Sequence, residues 1–443
     1  MNVLIITHAY APDPTPRAFR WTAIAEHWAR EGAAVDVVTT GRRGGAAMER
    51  RNGVTIHHVG ETVLGRMHRR AGAAAGRRGG RPGLRRMLRW VYDATWRRVF
   101  WPDYACLWRR PALAQAKRLC RSRSFDAVIT VSHPFSGHMV GLSLKRALPG
   151  LRWIADMGDP FSLADTVASN NAALYRRRNR RAEAAVLREC DAVSVTVEGC
   201  RTVLADTFAV DPAKIAVIPP LLSLPEPESA APAPEFAEKE TVDLVYLGVL
   251  YPSLRPPDAL LDLFAGMHAR CARLRLHFFG DVRGCEAAFA RHQALMGRAI
   301  HLHGPIPRAA VAPTMAAADI LVNIGNGTAH QLPSKLVEYV AAGKPILNIA
   351  QSRTDTAAAF LDGHPASLTV TPGDGLSASD RIDRALDFVR RPVRISAATR
   401  AALIAPFGVP AIATAFARLV LKGPQAPETP PGNPDDSTAM IAP

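Results

Sequence analysis

Short, uninterrupted apolar runs alternate along this chain with longer stretches in which apolar residues return every three or four positions. The first run, residues 3–7 (VLIIT), shows no polar alternation, as a parallel strand buried on both faces should. Thr15 and Pro16 then supply an N-cap and a proline at the first helical position. Phe19, Trp21, Ile24, Ala25 and Trp28 follow at mostly three- and four-residue spacing, and Gly32 ends the helix. Residues 34–39 form a second strand, and runs at 126–131, 153–155, 192–196 and 215–218 complete a first α/β half. Residues 219–241 (PPLLSLPEPESAAPAPEFAEKET) are rich in Pro, Ala and Glu and have no periodicity, the pattern of an interdomain linker. A second series of strand candidates follows at 243–247, 275–279, 300–303, 320–324 and 345–350. Strands alternating with helical stretches predict a doubly wound, parallel sheet in each half. The expected organisation is a first domain over 1–222, a linker over 223–241 and a second domain over 242–400. A helical segment at 401–422, with Pro410 leading into an amphipathic helix at 411–422, is long enough to pack back on the first domain. The Pro-rich tail 423–443 reads as disordered.

Size and composition fit this reading. A chain of 443 residues, 48% hydrophobic and 21% charged, is globular and holds two or three domains. No apolar run is expected to reach the roughly 18 residues that cross a bilayer. The opening residues read as a strand and not as a signal peptide. Six scattered cysteines without a C-x-x-C pair predict neither a zinc site nor a disulfide framework, which implies a reducing cytoplasm. The loop after the first strand, residues 8–17 (HAYAPDPTPR), contains no glycine, so it cannot serve as the G-x-G-x-x-G turn of a dinucleotide site, and no Walker A pattern occurs elsewhere. An open α/β sheet still binds ligands beyond the carboxyl ends of its strands, and two such domains face each other across a cleft there.

The most informative stretch is 332–345, LPSKLVEYVAAGKP. Pro333 and Ser334 open a short helix with Ser334 as N-cap, and Gly343 and Pro345 close it. Lys335 and Glu338 lie three apart on one face, while Leu336, Val337 and Val340 point toward a core. A helix N-terminus with a lysine favours phosphate, and a carboxylate one turn on can accept from both hydroxyls of a ribose. A buried helix carrying an i,i+3 salt bridge satisfies the same spacing.

The wider pattern resembles family 4 retaining glycosyltransferases of the GT-B fold, in which two Rossmann-like doubly wound α/β domains face an interdomain cleft. Residues 332–345 look like their donor helix, with Glu338 at the position that holds the donor ribose. Residues 9–39 are similar to the opening strand, Pro-rich loop and Arg-bearing helix. The turn Asp156-Met157-Gly158-Asp159-Pro160-Phe161 resembles the D-x-x-D-P-[WF] turn of bacterial surface-polysaccharide members, and residues 247–251 with Arg255 resemble their second-domain opening. The resemblance runs over roughly residues 1–420. It departs from the family at His330, where many members carry a first glutamate, and at Thr15-Pro16-Arg17, which stand where a Gly-Gly pair is common.

The resemblance implies transfer of a sugar from a nucleotide diphosphate donor with retention of configuration, by front-face attack. Protein cations, not a metal, would stabilise the leaving diphosphate, so no cofactor is expected. Donor binding falls to Glu338, Lys335 and Ser334, to His330 at the departing position, and to Arg255, whose other reading is a solvated surface arginine. Gly325 and Asn326 follow a strand and either bring backbone amides to the donor or form a simple turn. His133, in the loop after strand 126–131, stands where a residue near the reacting sugar is usual; a purely structural histidine is the other reading, and His8 and His138 are weaker choices. Arg17, Asp156 and Asp159 are placed on the acceptor side or in fixing the loop, since two carboxylates without a third ligand rarely hold magnesium.

Charge adds one feature. Of the formal net charge of +16, residues 66–123 carry an excess of 15, with 17 Lys/Arg against Asp93 and Asp103. Trp90, Trp96, Trp101 and Trp108 interleave with the arginines, which suits an anionic bilayer interface and also suits nucleic acid. A solvated insertion is the bland alternative. The resembled family works on polyprenyl-diphosphate-linked acceptors, which favours an anionic membrane surface, with the run 176–181 (RRRNRR) extending it, and a peripheral place on the inner face of the cell membrane. No nucleic-acid partner is then expected. A non-hydrolysing sugar-nucleotide epimerase and a nucleic-acid-binding protein are the competing readings.

Overall fold

The computed structural model describes residues 1–13, 15–41, 46–60, 99–163, 169–222, 240–333, 335–371 and 373–422. The 423–443 tail, most of the linker, Ser334, and Trp90 and Trp96 of the basic window lie outside the described residues. Two sheets are formed. The first holds β1 (Asn2–Ile6), β2 (Ala34–Thr40), β3 (Met48–Arg51), β4 (Val54–Val59), β5 (Ala127–Val131), β6 (Trp153–Gly158), β7 (Ala192–Val195) and β8 (Ile215–Val217), in the order β3-β4-β2-β1-β5-β6-β7-β8. The second holds β9 (Val242–Leu247), β10 (Leu274–Phe279), β11 (Ile300–Leu302), β12 (Ile320–Ile324), β13 (Ile346–Ile349) and β14 (Ser367–Val370), in the order β11-β10-β9-β12-β13-β14. The expectation of purely parallel sheets needs one correction, because β3 pairs antiparallel with β4 at the edge of the first. Sequence reading missed β3, β4 and β14. β3 (MERR) is exposed throughout and β14 is only partly buried, so neither makes an apolar run.

Helices cover both faces. In the first domain these are α1 (Pro16–Arg30), α2 (Arg109–Ser122), α3 (Ser136–Ala147), α4 (Ala172–Glu189) and α5 (Glu198–Phe208). In the second they are α6 (Asp258–Arg270), α7 (Glu286–Ala290), α8 (Arg308–Ala317), α9 (Lys335–Ala342), α10 (Thr356–Phe360), α11 (Ala378–Arg390) and α12 (Ala397–Ile404). The last helix, α13 (Val409–Lys422), crosses back: Ile412, Ala413, Phe416, Leu419 and Val420 join Trp21, Ile24 and Trp28 in the core of the first domain. Trp28 Nε1 donates to Ala413 O at 3.1 Å, and Arg152 donates twice to Leu419 O. Arg20, buried with its guanidinium carbon 5.3 Å from the Phe416 ring centroid, donates to Ile218 O and Pro219 O, tying α1 to the exit from the first domain.

Ala397–Leu421 corrects the expectation that no segment reaches spanning length: with mean hydropathy 1.7 it is long and apolar enough to cross a membrane. Here the stretch is broken at Ala405–Phe407, and α13 spends its apolar face on the first domain. The basic window is corrected as well. Trp108 is fully buried among Leu4, Val38 and Leu144, and Trp101 donates to Asn179 Oδ1 at 3.0 Å under the Arg178 guanidinium. Trp108 is thus withdrawn from the surface, whereas Trp101 is only partly buried.

Candidate functional site

The order of the second sheet places its reversal between β9 and β12, so the ligand crevice of that domain lies beyond their carboxyl ends. In the first sheet the corresponding reversal lies between β1 and β5. The loops at these points carry most of the residues singled out from the sequence.

On the first-domain side, Thr15 accepts from Ala18 N and caps α1, which aims Arg17 at the end of β6. Arg17 Nη1 donates to Asp156 Oδ2 at 3.2 Å, Trp21 Nε1 donates to the same oxygen at 2.7 Å, and Ser194 Oγ donates to Oδ1 at 2.8 Å. Burial pushes the Asp156 carboxyl up, but Arg17 and Arg20 with these hydrogen bonds outweigh it and hold it below the usual range. Asp156 is 1% exposed and so belongs to the loop-fixing role; the acceptor-side role is corrected, because its oxygens are spent inside the domain. Gly158 holds a left-handed backbone (φ 68°) that favours glycine, and a Cβ there would push the Arg17 guanidinium aside.

His133 is exposed on the loop after β5. Crowding by protein lowers its pKa, Asp159 opposes this and Arg17 adds to it, leaving the imidazole below its ordinary value and therefore neutral near pH 7. Asp159 is half-buried beside it. Two carboxylates that sequence reading passed over stiffen this side. Asp103 accepts from Ser136 N and Oγ at 2.8 and 2.7 Å and so holds the start of α3. Glu183 accepts from Phe161 N, Ser162 N and Ser162 Oγ, clamping the D-x-x-D-P-F turn, while Phe161 stacks on Phe135 at 3.9 Å. Burial pushes both carboxyls up in spite of these donors. Glu183 sits in an Arg/Ala-rich helix with nothing in its neighbourhood to mark it; Asp103 registered only as a charge.

On the second-domain side, Arg255 Nε donates to Asn326 Oδ1 at 2.5 Å, and Asn326 Nδ2 donates to Gln331 O at 2.9 Å. Lys335 Nζ donates to Glu338 Oε2 at 2.6 Å, with Glu338 9% exposed on a helix otherwise packed by Leu336, Tyr339 and Val340. The i,i+3 pair is thus formed, and it holds the carboxylate at the first turn of α9. Gly343 (φ 69°) ends that helix. The reading in which loop amides turn to the donor is corrected at Gly325. Gly325 N donates to Ile349 O, extending the β-ladder, and Gly327 N donates to Asp355 Oδ2. Asp355, 1% exposed, also accepts from Gln351 N and caps α10; a Cβ on Gly325 would lie 1.9 Å from its Oδ2. Asp355 before an alanine-rich helix is an N-cap signal readable in sequence. His330 is half-buried in the same loop, next to Ala329, which meets Gly199 of the first domain.

The structure therefore joins Arg17 to Asp156, Arg255 to Asn326, and Lys335 to Glu338, and brings the loops of both domains to one cleft. Among the described residues, no cluster of three or more His, Cys, Asp or Glu is arranged to hold a metal ion.

Comparison with known proteins agrees with this architecture. Residues 18–220 match the model of a glycosyl transferase 4-like domain, and residues 241–387 match that of glycosyl transferases group 1. The sequence has no significant match among curated proteins. Among solved structures, it is similar to sucrose-phosphate synthase from Thermosynechococcus elongatus (TM-score 0.61, 14% identity, covering 95% of this chain and 98% of that one). It is similar to Anabaena HepE in complex with UDP-glucose (TM-score 0.55, 12% identity, 95% and 99%). It is also similar to the lipopolysaccharide outer core galactosyltransferase WaaB (TM-score 0.55, 11% identity, 95% and 99%). With both halves matched in order and the two facing sheets they predict in place, the chain belongs to the family 4-like glycosyltransferases of GT-B fold.

Proposed function

We propose that this enzyme moves a sugar from a nucleotide diphosphate donor to a lipid-linked saccharide acceptor in cell-surface polysaccharide synthesis, at the inner face of the cell membrane. The observation that carries the donor half is the Lys335–Glu338 pair on a buried helix beside the β9/β12 crevice, with Arg255 on the loop opposite. A carboxylate held at that turn accepts from the ribose hydroxyls, and the two cations balance the diphosphate that departs. One similar structure holds UDP-glucose and another is a galactosyltransferase of the lipopolysaccharide outer core, which supports this class of donor and acceptor. In front-face transfer the acceptor oxygen forms its bond to the anomeric carbon as the bond to the leaving phosphate breaks. The acceptor proton passes to that phosphate, so neither a protein nucleophile nor a metal is needed. Neutral His133 accepts a hydrogen bond from the reacting sugar, and Arg17 and Asp159 line the acceptor side.

Membrane attachment through 66–123 now rests on its charge and not on its described tryptophans. Val99 and Leu174 are 59% and 62% exposed and are joined through Tyr175 Oη, which donates to Val99 O, beside the arginines of α4. Exposed aliphatics next to arginines suit an anionic surface.

Thermal shift with UDP, GDP and their sugars tests the donor half. One nucleotide should raise the melting temperature by several degrees at saturating concentration, and Glu338→Ala should abolish the rise. Co-sedimentation with phosphatidylglycerol vesicles, weakened by salt, tests the membrane half. Salt-dependent binding to DNA with no nucleotide response would instead favour the nucleic-acid reading.

A further inference from the structure

The first turn of α5 faces the second-domain loop across the cleft, and the contact falls on a glycine. A Cβ on Gly199 would lie 1.7 Å from the carbonyl oxygen of Ala329, and the three nearest heavy atoms all belong to that residue. Gly199 has no left-handed backbone to explain it; what it supplies is room for the other domain.

Ala329 sits on a loop tied together by hydrogen bonds. Gln331 O accepts from Asn326 Nδ2 at 2.9 Å and from Thr356 Oγ1 at 2.6 Å, while Gly327 N and Gln351 N share Asp355 Oδ2. Asn326 carries Arg255, and the same loop runs on into α9 with Lys335 and Glu338. A second contact lies nearby in sequence to Arg17: the Arg308 guanidinium carbon of α8 is 4.9 Å from the Phe19 ring centroid of α1. Both contacts join loops or helix starts that border the cleft.

We infer that Gly199 is an interdomain notch in which the Ala329 carbonyl seats, setting the donor loop in register with the first domain. The inference rests on the cleft being the donor site. Because the obstacle would be a backbone carbonyl, trimming the side chain at 329 cannot make room for a larger residue at 199; only separation of the domains can.

The test is small-angle scattering with hydrogen–deuterium exchange on the full chain, each with and without UDP and GDP. The proteins are wild type, Gly199→Ala, Gly199→Val and the double variant Gly199→Val/Ala329→Gly. Gly199→Val should show a larger radius of gyration than wild type and exchange at 326–331 faster by tenfold or more. Gly199→Ala should show the same in smaller degree, with a melting temperature equal to or above wild type, since alanine favours a helix over glycine. The double variant should stay open. Scattering and exchange of Gly199→Val indistinguishable from wild type would overturn the inference, and so would recovery of the wild-type curve on adding Ala329→Gly. The donor reading fails separately: a wild type that closes but is stabilised by neither nucleotide sinks that reading and leaves the notch standing.

Discussion

Asp103, Asp156, Glu183 and Asp355 are each 1% exposed or less, and each is spent on backbone or side-chain donors in the loops that border the cleft. Buried carboxylates of this kind are costly unless saturated with hydrogen bonds, so they specify one loop geometry. Gly158→Ala is the sharpest probe of the Asp156 network. It combines a left-handed backbone with a collision against Arg17, and should cost about 2 kcal/mol or more, lowering the first-domain transition by about 4–8 °C in a thermal melt. His138 supplies a pH probe. His138 Nδ1 lies 2.8 Å from Thr130 Oγ1, which also accepts from Trp153 Nε1. Burial lowers the His138 pKa from the ordinary 6.5 to about 3. The folded-state value is depressed, so the unfolded chain binds the proton first. Stability is full above pH 6.5 and falls as pH drops toward 3, by up to about 1.4 kcal/mol per pH unit. Denaturant unfolding at pH 7.5, 6 and 5 should show this slope, reduced by one proton in His138→Gln. At this scale the sequence disclosed Thr15 and Glu338, because their cues are local; Asp355 carried the same kind of local cue and was passed over. Glu183 was invisible because its donors lie 21 and 22 residues away.

At the scale of elements, the strands readable from sequence were those buried on both faces, such as β1, β5 and β12. The β3–β4 hairpin and β14 escaped because edge and half-exposed strands have no continuous apolar run. α13 shows the opposite difficulty. Its amphipathic pattern was plain and its return to the first domain was raised from the sequence, but no local pattern could say which residues its apolar face would meet. Phe416, fully buried with its ring centroid 4.7 Å from that of Trp21, anchors it. Phe416→Ala should destabilise the first domain by about 3–5 kcal/mol, read as a lowered first transition in calorimetry. The nucleotide response of the second domain should survive, and its loss together with the first transition would mean that α13 couples the domains more tightly than this packing implies.

For the molecule as a whole, the sequence by itself determined the class: two successive series of buried strands and helices, a short capped helix with Lys335 and Glu338 on one face, and a basic segment grafted onto a near-neutral body. These follow from periodicity, capping and composition, which act over a few residues and survive without knowledge of contacts. The tertiary structure alone decided the rest. The strand order set which loops share a crevice, and the crossing of α13 set how the chain returns. Packing removed Trp108 from the surface, half-buried Trp101, drew Asp156 inward and brought Gly199 against Ala329. Each of these joins residues far apart in the chain. Their free energy comes from burial and hydrogen bonds formed only once both partners are in place, and no local pattern carries that information.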